Sequence, residues 1–317
     1  ARRASLRPRR RAAAPPAPAA PPGSPPVTGT PSCRAAIAHH LRERWGASGL
    51  DDGAVLPVIG TKELVGWLPT FLGLGADDVV VFPEQAYPTY EIGALARGAR
   101  PLPCDDPAAS PEGTRLAWIN SPANPTGRIM GEDELCAALA RARALGAVLA
   151  SDECYGEFAW DREAVSVLDD RICAGDHTGL LAVHSVSKRS NAAGYRAGFV
   201  AGDRDLVEGI LHLRKHLGMM VPAPVQAALA ALLGDREHVE AQRARYLARR
   251  ASLRAALVGA GFRIDDSEGG LYLWATRGEE CRATVAWLAE RGILVAPGDF
   301  YGVRARQHVR VALTAPD

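Results

Sequence analysis

From about Arg34 onward, short and wholly apolar runs alternate with longer stretches in which apolar residues recur at helical spacing. That alternation predicts an α/β domain whose strands are buried on both faces. Helices are predicted over residues 61–74, 89–97, 131–146, 206–233 with an interruption at Pro222 and Pro224, about 236–259 and about 281–291. Strands are predicted over 78–82, 116–119, 147–150, 180–183, 198–201, 270–274, 293–295 and 308–313. The helix over 131–146 has the clearest ends: Glu132, Asp133 and Glu134 suit the positive N-terminus of its dipole, Arg141 and Arg143 its C-terminus, and Gly146 stops it. The long helix from about 236 leads into a second, smaller part, so the expected division is 1–30 as a disordered extension, 31–220 as a large domain and 221–317 as a small one.

Composition narrows the picture. A chain of 317 residues can bury a sizeable core, and its net charge of +1 gives no general attraction for nucleic acid or anionic membrane. The charge is uneven, because six arginines fall between Arg2 and Arg11, an Ala/Pro tract follows, and no acid precedes Glu43. The prolines oppose the amphipathic helix of a transit peptide, and the tract has too little apolar surface to order itself. The six cysteines are dispersed without a C-x-x-C pair, so free thiols in a reducing cytosol and no metal are expected. No apolar stretch approaches the roughly 20 residues that span a bilayer.

The candidate chemistry centres on Lys188. Lysine occurs only at 62, 188 and 215 among 37 basic residues, and Lys188 stands in Ser185-Val186-Ser187-Lys188 directly after an apolar run. Arginine cannot lose its proton in a protein, whereas a lysine of lowered pKa condenses with carbonyl compounds, pyridoxal phosphate (PLP) among them. Arg196 follows eight residues on, placed to hold a phosphate. Two further polar motifs also follow strand candidates: Asn120 to Gly127 (NSPANPTG) after 116–119, and Ser151 to Tyr155 (SDECY) after 147–150. Because the carboxyl ends of parallel strands form the ligand crevice, all these motifs are expected to face one site. Taken singly, each has a plainer explanation: Asn124-Pro125-Thr126-Gly127 a turn, Asp152 a helix cap, Lys188 and Arg196 exposed cations. Their order and shared placement favour the joint reading.

These motifs resemble those of the class I/II PLP-dependent aminotransferases of fold type I, and the resemblance covers roughly residues 30–314. It implies a PLP-dependent transferase fold with a mainly parallel central sheet in the large domain and a smaller α+β C-terminal domain. It further implies that Lys188 holds PLP covalently and moves the substrate Cα proton, and that Asp152 lies under the pyridine nitrogen. Tyr155 and Asn124 would bond the phenolic oxygen, and Tyr87, in Tyr87-Pro88-Thr89-Tyr90, would stack on the ring. Arg196, Ser185 and the Gly60-Thr61-Lys62 loop would hold the phosphate, and Arg310 would grip the substrate α-carboxylate. Residues 185–199, 214–226 and 151–155 look more narrowly like succinyldiaminopimelate transaminases of the actinobacterial type. That likeness implies glutamate as amino donor, N-succinyl-2-amino-6-oxopimelate as acceptor, a place in lysine biosynthesis, a cytoplasmic enzyme and a homodimer with active sites at the subunit boundary.

The sequence departs from the family pattern at both ends. The segment that closes over the site is replaced by the Arg/Ala/Pro tract, no tyrosine for the partner's phosphate occurs near Ser24, and the chain stops soon after Arg310. Other outcomes compatible with the motifs are a different class I/II aminotransferase, a PLP-dependent β-lyase or decarboxylase, and a PLP-binding module impaired in catalysis.

Overall fold

The apolar runs form a seven-stranded sheet in a computed structural model that describes residues 23–315, so most of the extension predicted for 1–30 lies outside the described residues. In chain order the helices are α1 (Pro31–Trp45), α2 (Thr61–Phe71), α3 (Thr89–Arg97), α4 (Glu132–Leu145), α5 (Asp170–Cys173), α6 (Val186–Arg189), α7 (Arg204–His216), α8 (Ala223–Gly234), α9 (Glu237–Gly259) and α10 (Cys281–Ala289). The strands are β1 (Val55–Val58), β2 (Val79–Phe82), β3 (Arg100–Pro103), β4 (Thr114–Asn120), β5 (Val148–Asp152), β6 (Leu180–Ser185), β7 (Gly198–Gly202), β8 (Arg263–Asp265), β9 (Tyr272–Thr276), β10 (Ala296–Pro297) and β11 (His308–Ala312).

The main sheet has the order β1-β7-β6-β5-β4-β2-β3, with β7 antiparallel to both its neighbours and the remaining pairs parallel. Its inner strands read as largely apolar runs because both faces are covered. In β2, Val79 and Val81 join Ile37 and Leu41 of α1 and Leu135 and Leu139 of α4 in one cluster. Val80 and Phe82 point the other way, toward Leu64 and Leu68 of α2, Tyr90 of α3 and Ile210 of α7. A second sheet, β10-β11-β9-β8, is antiparallel throughout and packs with α9 and α10 around Leu273, Leu288 and Val309. The architecture matches the α/β expectation of a mainly parallel central sheet with a smaller second sheet beyond it. α8 sends Leu229 and Leu233 into the cluster that contains α1.

Several elements differ from the sequence expectation. No strand forms over 293–295. After α10 the chain turns at Gly292 (φ 73°), the Ile293 N–H returns to the Leu288 carbonyl, and Leu294 is left 89% exposed. These residues close the helix end, and pairing with β11 starts only at Ala296. The interruption in 206–233 separates α7 from α8, with Pro222 as the α8 N-cap. Strands β1 and β3 were not anticipated, since Pro57, Pro101 and Pro103 disguise them. Both lie at the sheet edges, where a missing N–H is tolerated.

Candidate active site

Three adjacent parallel strands end on polar residues. β4 ends at Asn120, which lies opposite Asp152 at the end of β5, and β6 ends at Ser185. Beyond these ends is a cleft of about 310 Å³. Its walls include Thr61, Lys62, Tyr87, Asn124, Asp152, Tyr155, Ser185, Lys188, Arg196 and Arg310 from the sequence-derived set. Gly60 stands just behind, as the N-cap of α2. The structure thus gathers the predicted residues at one place, although Arg310 comes from the second sheet.

Lys188 is set by its neighbours. Ser185 caps the short helix α6 by accepting from the Ser187 N–H at 3.0 Å. The next residue, Arg189, is buried and its Nε donates to Glu157 at 3.1 Å. With Arg189 anchored in the interior, the half-buried Lys188 side chain lines the cleft.

Asp152 forms the polar floor. Its Oδ2 accepts from the Tyr90 hydroxyl at 2.8 Å and its Oδ1 from the Cys154 N–H at 3.2 Å. Burial pushes its carboxyl above the ordinary 3.8, against those hydrogen bonds and His184, which favour the anion. Burial also pushes the Tyr90 hydroxyl and the Cys154 thiol well up, with Asp152 adding to both. Such a floor suits a cationic or proton-bearing partner.

On the opposite wall, the Arg310 Nη1 donates to Asn124 Oδ1 at 2.8 Å, and its Cζ lies 3.9 Å from the Tyr272 ring centroid. Its Nε is buried without a partner. Asn124 therefore spends its carbonyl on Arg310, and its NH₂ is what remains to offer a ligand. Its backbone N–H is held by Asn120 Oδ1 at 2.7 Å, while Asn120 Nδ2 donates to the Asp152 carbonyl at 2.8 Å. The Tyr155 and Tyr272 hydroxyls are 2.8 Å apart. Tyr87 is half-buried, edge-on to Tyr90, with the Lys62 Nζ 5.6 Å from its ring centroid.

Asn120, Tyr90 and Tyr272 were missed as site residues. Signals existed for the first pair, since Asn120 heads its motif and Tyr90 closes Tyr87-Pro88-Thr89-Tyr90. Nothing local marks Tyr272.

The donor set fits PLP. The N-terminus of α2 and the exposed Arg196 guanidinium meet at Gly60, where a Cβ would clash with Arg196 Nη2. Unspent N–H groups at a helix start, a guanidinium and the Ser185 hydroxyl suit a phosphate, and a carboxylate floor suits a protonated ring nitrogen. Gly60 also has φ 72° and ψ 152°, a region almost restricted to glycine. Gly60→Ala is expected to cost about 1–3 kcal/mol locally and, because its Cβ pushes the Arg196 guanidinium away from the loop, to raise the PLP Kd roughly 10-fold in an absorbance titration. An unchanged Kd would remove this loop from the cofactor site.

Among the described residues, no group of His, Cys, Asp or Glu is arranged to hold a metal ion, and no helix is long and apolar enough to cross a membrane. The family profile described as aminotransferase class I and II matches residues 22–317. Probable aminotransferase Rv1178 of Mycobacterium tuberculosis is 58% identical over 297 residues, which is 93% of this chain and 71% of that protein. The 4-dedimethylamino-4-oxo-anhydrotetracycline transaminase OxyQ of Streptomyces rimosus is 56% identical over 93% of this chain and 82% of its own. Among solved structures, the N-succinyldiaminopimelate aminotransferase of Mycobacterium tuberculosis superimposes with a TM-score of 0.84 at 26% identity, covering 93% of this chain and 82% of that one.

Proposed function

The chain belongs to the class I and II aminotransferases, and on that premise we propose that it moves the amino group of L-glutamate onto N-succinyl-2-amino-6-oxopimelate, using Lys188, Asp152 and Arg310. The family uses pyridoxal 5'-phosphate. When bound, this cofactor condenses with amines and takes up the electron pair left as the substrate Cα–H bond breaks.

The chain's own residues supply the rest. Arg310 would orient the amino acid by pairing its planar fork with the α-carboxylate, and its place on the cleft wall opposite Lys188, with Nη1 held by Asn124, is the observation that carries this reading. Lys188 Nζ would hold the cofactor at rest and would serve as the base that takes the substrate Cα proton. Asp152 would place its carboxylate where a protonated ring nitrogen could be stabilised. Tyr155 and the Asn124 NH₂ would donate to the phenolic oxygen, while Ser185, Arg196 and the α2 N-terminus would hold the phosphate and Tyr87 would pack against the ring. The likeness to the M. tuberculosis N-succinyldiaminopimelate aminotransferase supports the acceptor. The 56% identity to OxyQ favours a second reading, in which the acceptor is an oxo group on a fused-ring compound.

We place the enzyme in the cytoplasm and as a homodimer. All six cysteines are free, as a reducing compartment requires, and Trp67 of α2 with Ile92 and Leu95 of α3 presents apolar side chains 43–58% exposed, suited to a second subunit.

Glutamate added to the PLP-loaded protein is expected to shift the cofactor absorbance and release 2-oxoglutarate. Supplying either acceptor in turn should then show which one restores the starting spectrum. Glutamate without spectral effect would overturn the donor, restoration by the fused-ring ketone alone would overturn the pimelate acceptor, and pyruvate and ammonia from cystathionine without amino transfer would replace transamination with β-elimination.

A further inference from the structure

We propose that Tyr272 is a positioning residue that joins the two working walls of the cleft: its ring holds the Arg310 guanidinium flat, and its hydroxyl directs the Tyr155 hydroxyl toward the cofactor. The inference rests on the reading of the cleft given above, in which Tyr155 serves the cofactor and Arg310 the substrate.

Tyr272 begins β9 in the second sheet, and Tyr155 follows β5 of the first, 117 residues away in sequence. Their buried hydroxyls are 2.8 Å apart, and either could donate. A tyrosine hydroxyl carries one proton. If Tyr155 spends its proton on an oxygen in the cleft, the proton between the two tyrosines must come from Tyr272. A donor behind Tyr155 then polarises its O–H bond and strengthens the bond it makes to an anionic oxygen. Burial, with Tyr272 next, pushes the Tyr155 hydroxyl well above its ordinary value, so Tyr155 keeps its proton and stays a donor. Other titratable or charged groups facing the pair are Cys154 beyond β5, Arg310 of β11, Tyr90 of α3 and, through Tyr272, Tyr301.

The ring face does separate work. Arg310 Cζ lies 3.9 Å from the Tyr272 centroid, and Nη1 is committed to Asn124 at 2.8 Å. The guanidinium is thereby restrained between the Tyr272 ring and Asn124, with the Tyr301 ring farther off at 5.2 Å, where Arg310 lines the cleft. A buried tyrosine kept only for packing would need neither the paired hydroxyl nor the stacked cation. Phenylalanine retains the ring and loses the hydroxyl, while leucine loses both, so these variants separate the roles.

The test uses the PLP-loaded protein, with the pH midpoint of the cofactor's near-visible absorbance and the Kd of maleate, an unreactive dicarboxylate, as readouts. In Y272F the midpoint should rise by about half a pH unit, the size of one weakened hydrogen bond, because the anionic oxygen is less stabilised. Its maleate Kd should stay within about twofold, since the cation–π contact persists. In Y272L the midpoint should rise similarly and the maleate Kd by roughly 10-fold, as the stacked surface and the ordering of Arg310 are lost. An unmoved midpoint in Y272F with a normal absorbance band overturns the hydroxyl role alone, and an unmoved maleate Kd in Y272L overturns the ring role alone. A wild-type protein without the band would overturn the cofactor reading, and this inference with it.

Discussion

Lys188→Arg is expected to abolish amino transfer while leaving the fold and the positive charge in place. Arginine keeps its proton at any working pH and makes no covalent link to a carbonyl carbon, so both the resting attachment and the Cα proton acceptor are lost. The surroundings predict a folded variant, because the structural anchor of α6 is Arg189 on Glu157, and Lys188 itself lines open space. The expected loss in kcat is roughly 10⁴-fold or more, since proton transfer by a positioned base alone accounts for about 10²–10⁴. Borohydride treatment followed by peptide mass mapping should mark the Lys188 peptide of the wild type with a pyridoxyl group and leave that of the variant unmarked. A marked lysine elsewhere, at Lys62 or Lys215, would transfer the central role away from Lys188.

The second large effect is expected at Asp152. Asp152→Asn keeps the shape of the side chain and a partner for Tyr90, but removes the charge from the floor of the cleft. Catalysis should fall by roughly 10²–10³-fold in kcat, the cost of deleting one preorganised electrostatic contact, with little change in KM for glutamate. The stability of the cofactor-free protein should move the opposite way. Burial holds the Asp152 carboxyl above 3.8, so between its unfolded and folded values the folded chain binds more protons than the unfolded one. Its contribution is therefore greatest at acid pH and is lost as the pH rises through that window. Above that window the cofactor-free protein carries this buried charge, and Asn relieves it. Thermal melts should show a higher Tm for the cofactor-free variant than for cofactor-free wild type, and a smaller rise on adding PLP. A lower Tm without cofactor would mean that Asp152 contributes to the core rather than to the ligand.

Much of the site was legible in the chain because it is built from residues that immediately follow buried strands. A run such as 180–183 announces a strand covered on both faces, and the Ser185 to Lys188 motif after it can then point only to the crevice end. Helix limits were legible where charge and glycine agreed, as at α4, which ends on Gly146 in the left-handed conformation. Reading failed where local preference conflicted with a long-range demand. Residues 293–295 have the composition of a strand, but closing the end of α10 uses their backbone. β1 and β3 contain prolines that argue against strands, and the sheet accepts them because they are its edges.

By itself the sequence determined the α/β alternation, the family pattern and which side chains are candidates for the chemistry, because side-chain chemistry and hydrophobic period are local properties. Only the tertiary structure decided that Arg310 of the second sheet shares a cleft with Lys188 of the first, that Asn124 turns its carbonyl to Arg310, and that Tyr272 stands between Arg310 and Tyr155. Apart from Tyr272 and Arg310, which neighbour each other within the second sheet, those contacts join residues more than a hundred positions apart. They depend on how the sheets pack against each other, which no short stretch of sequence encodes.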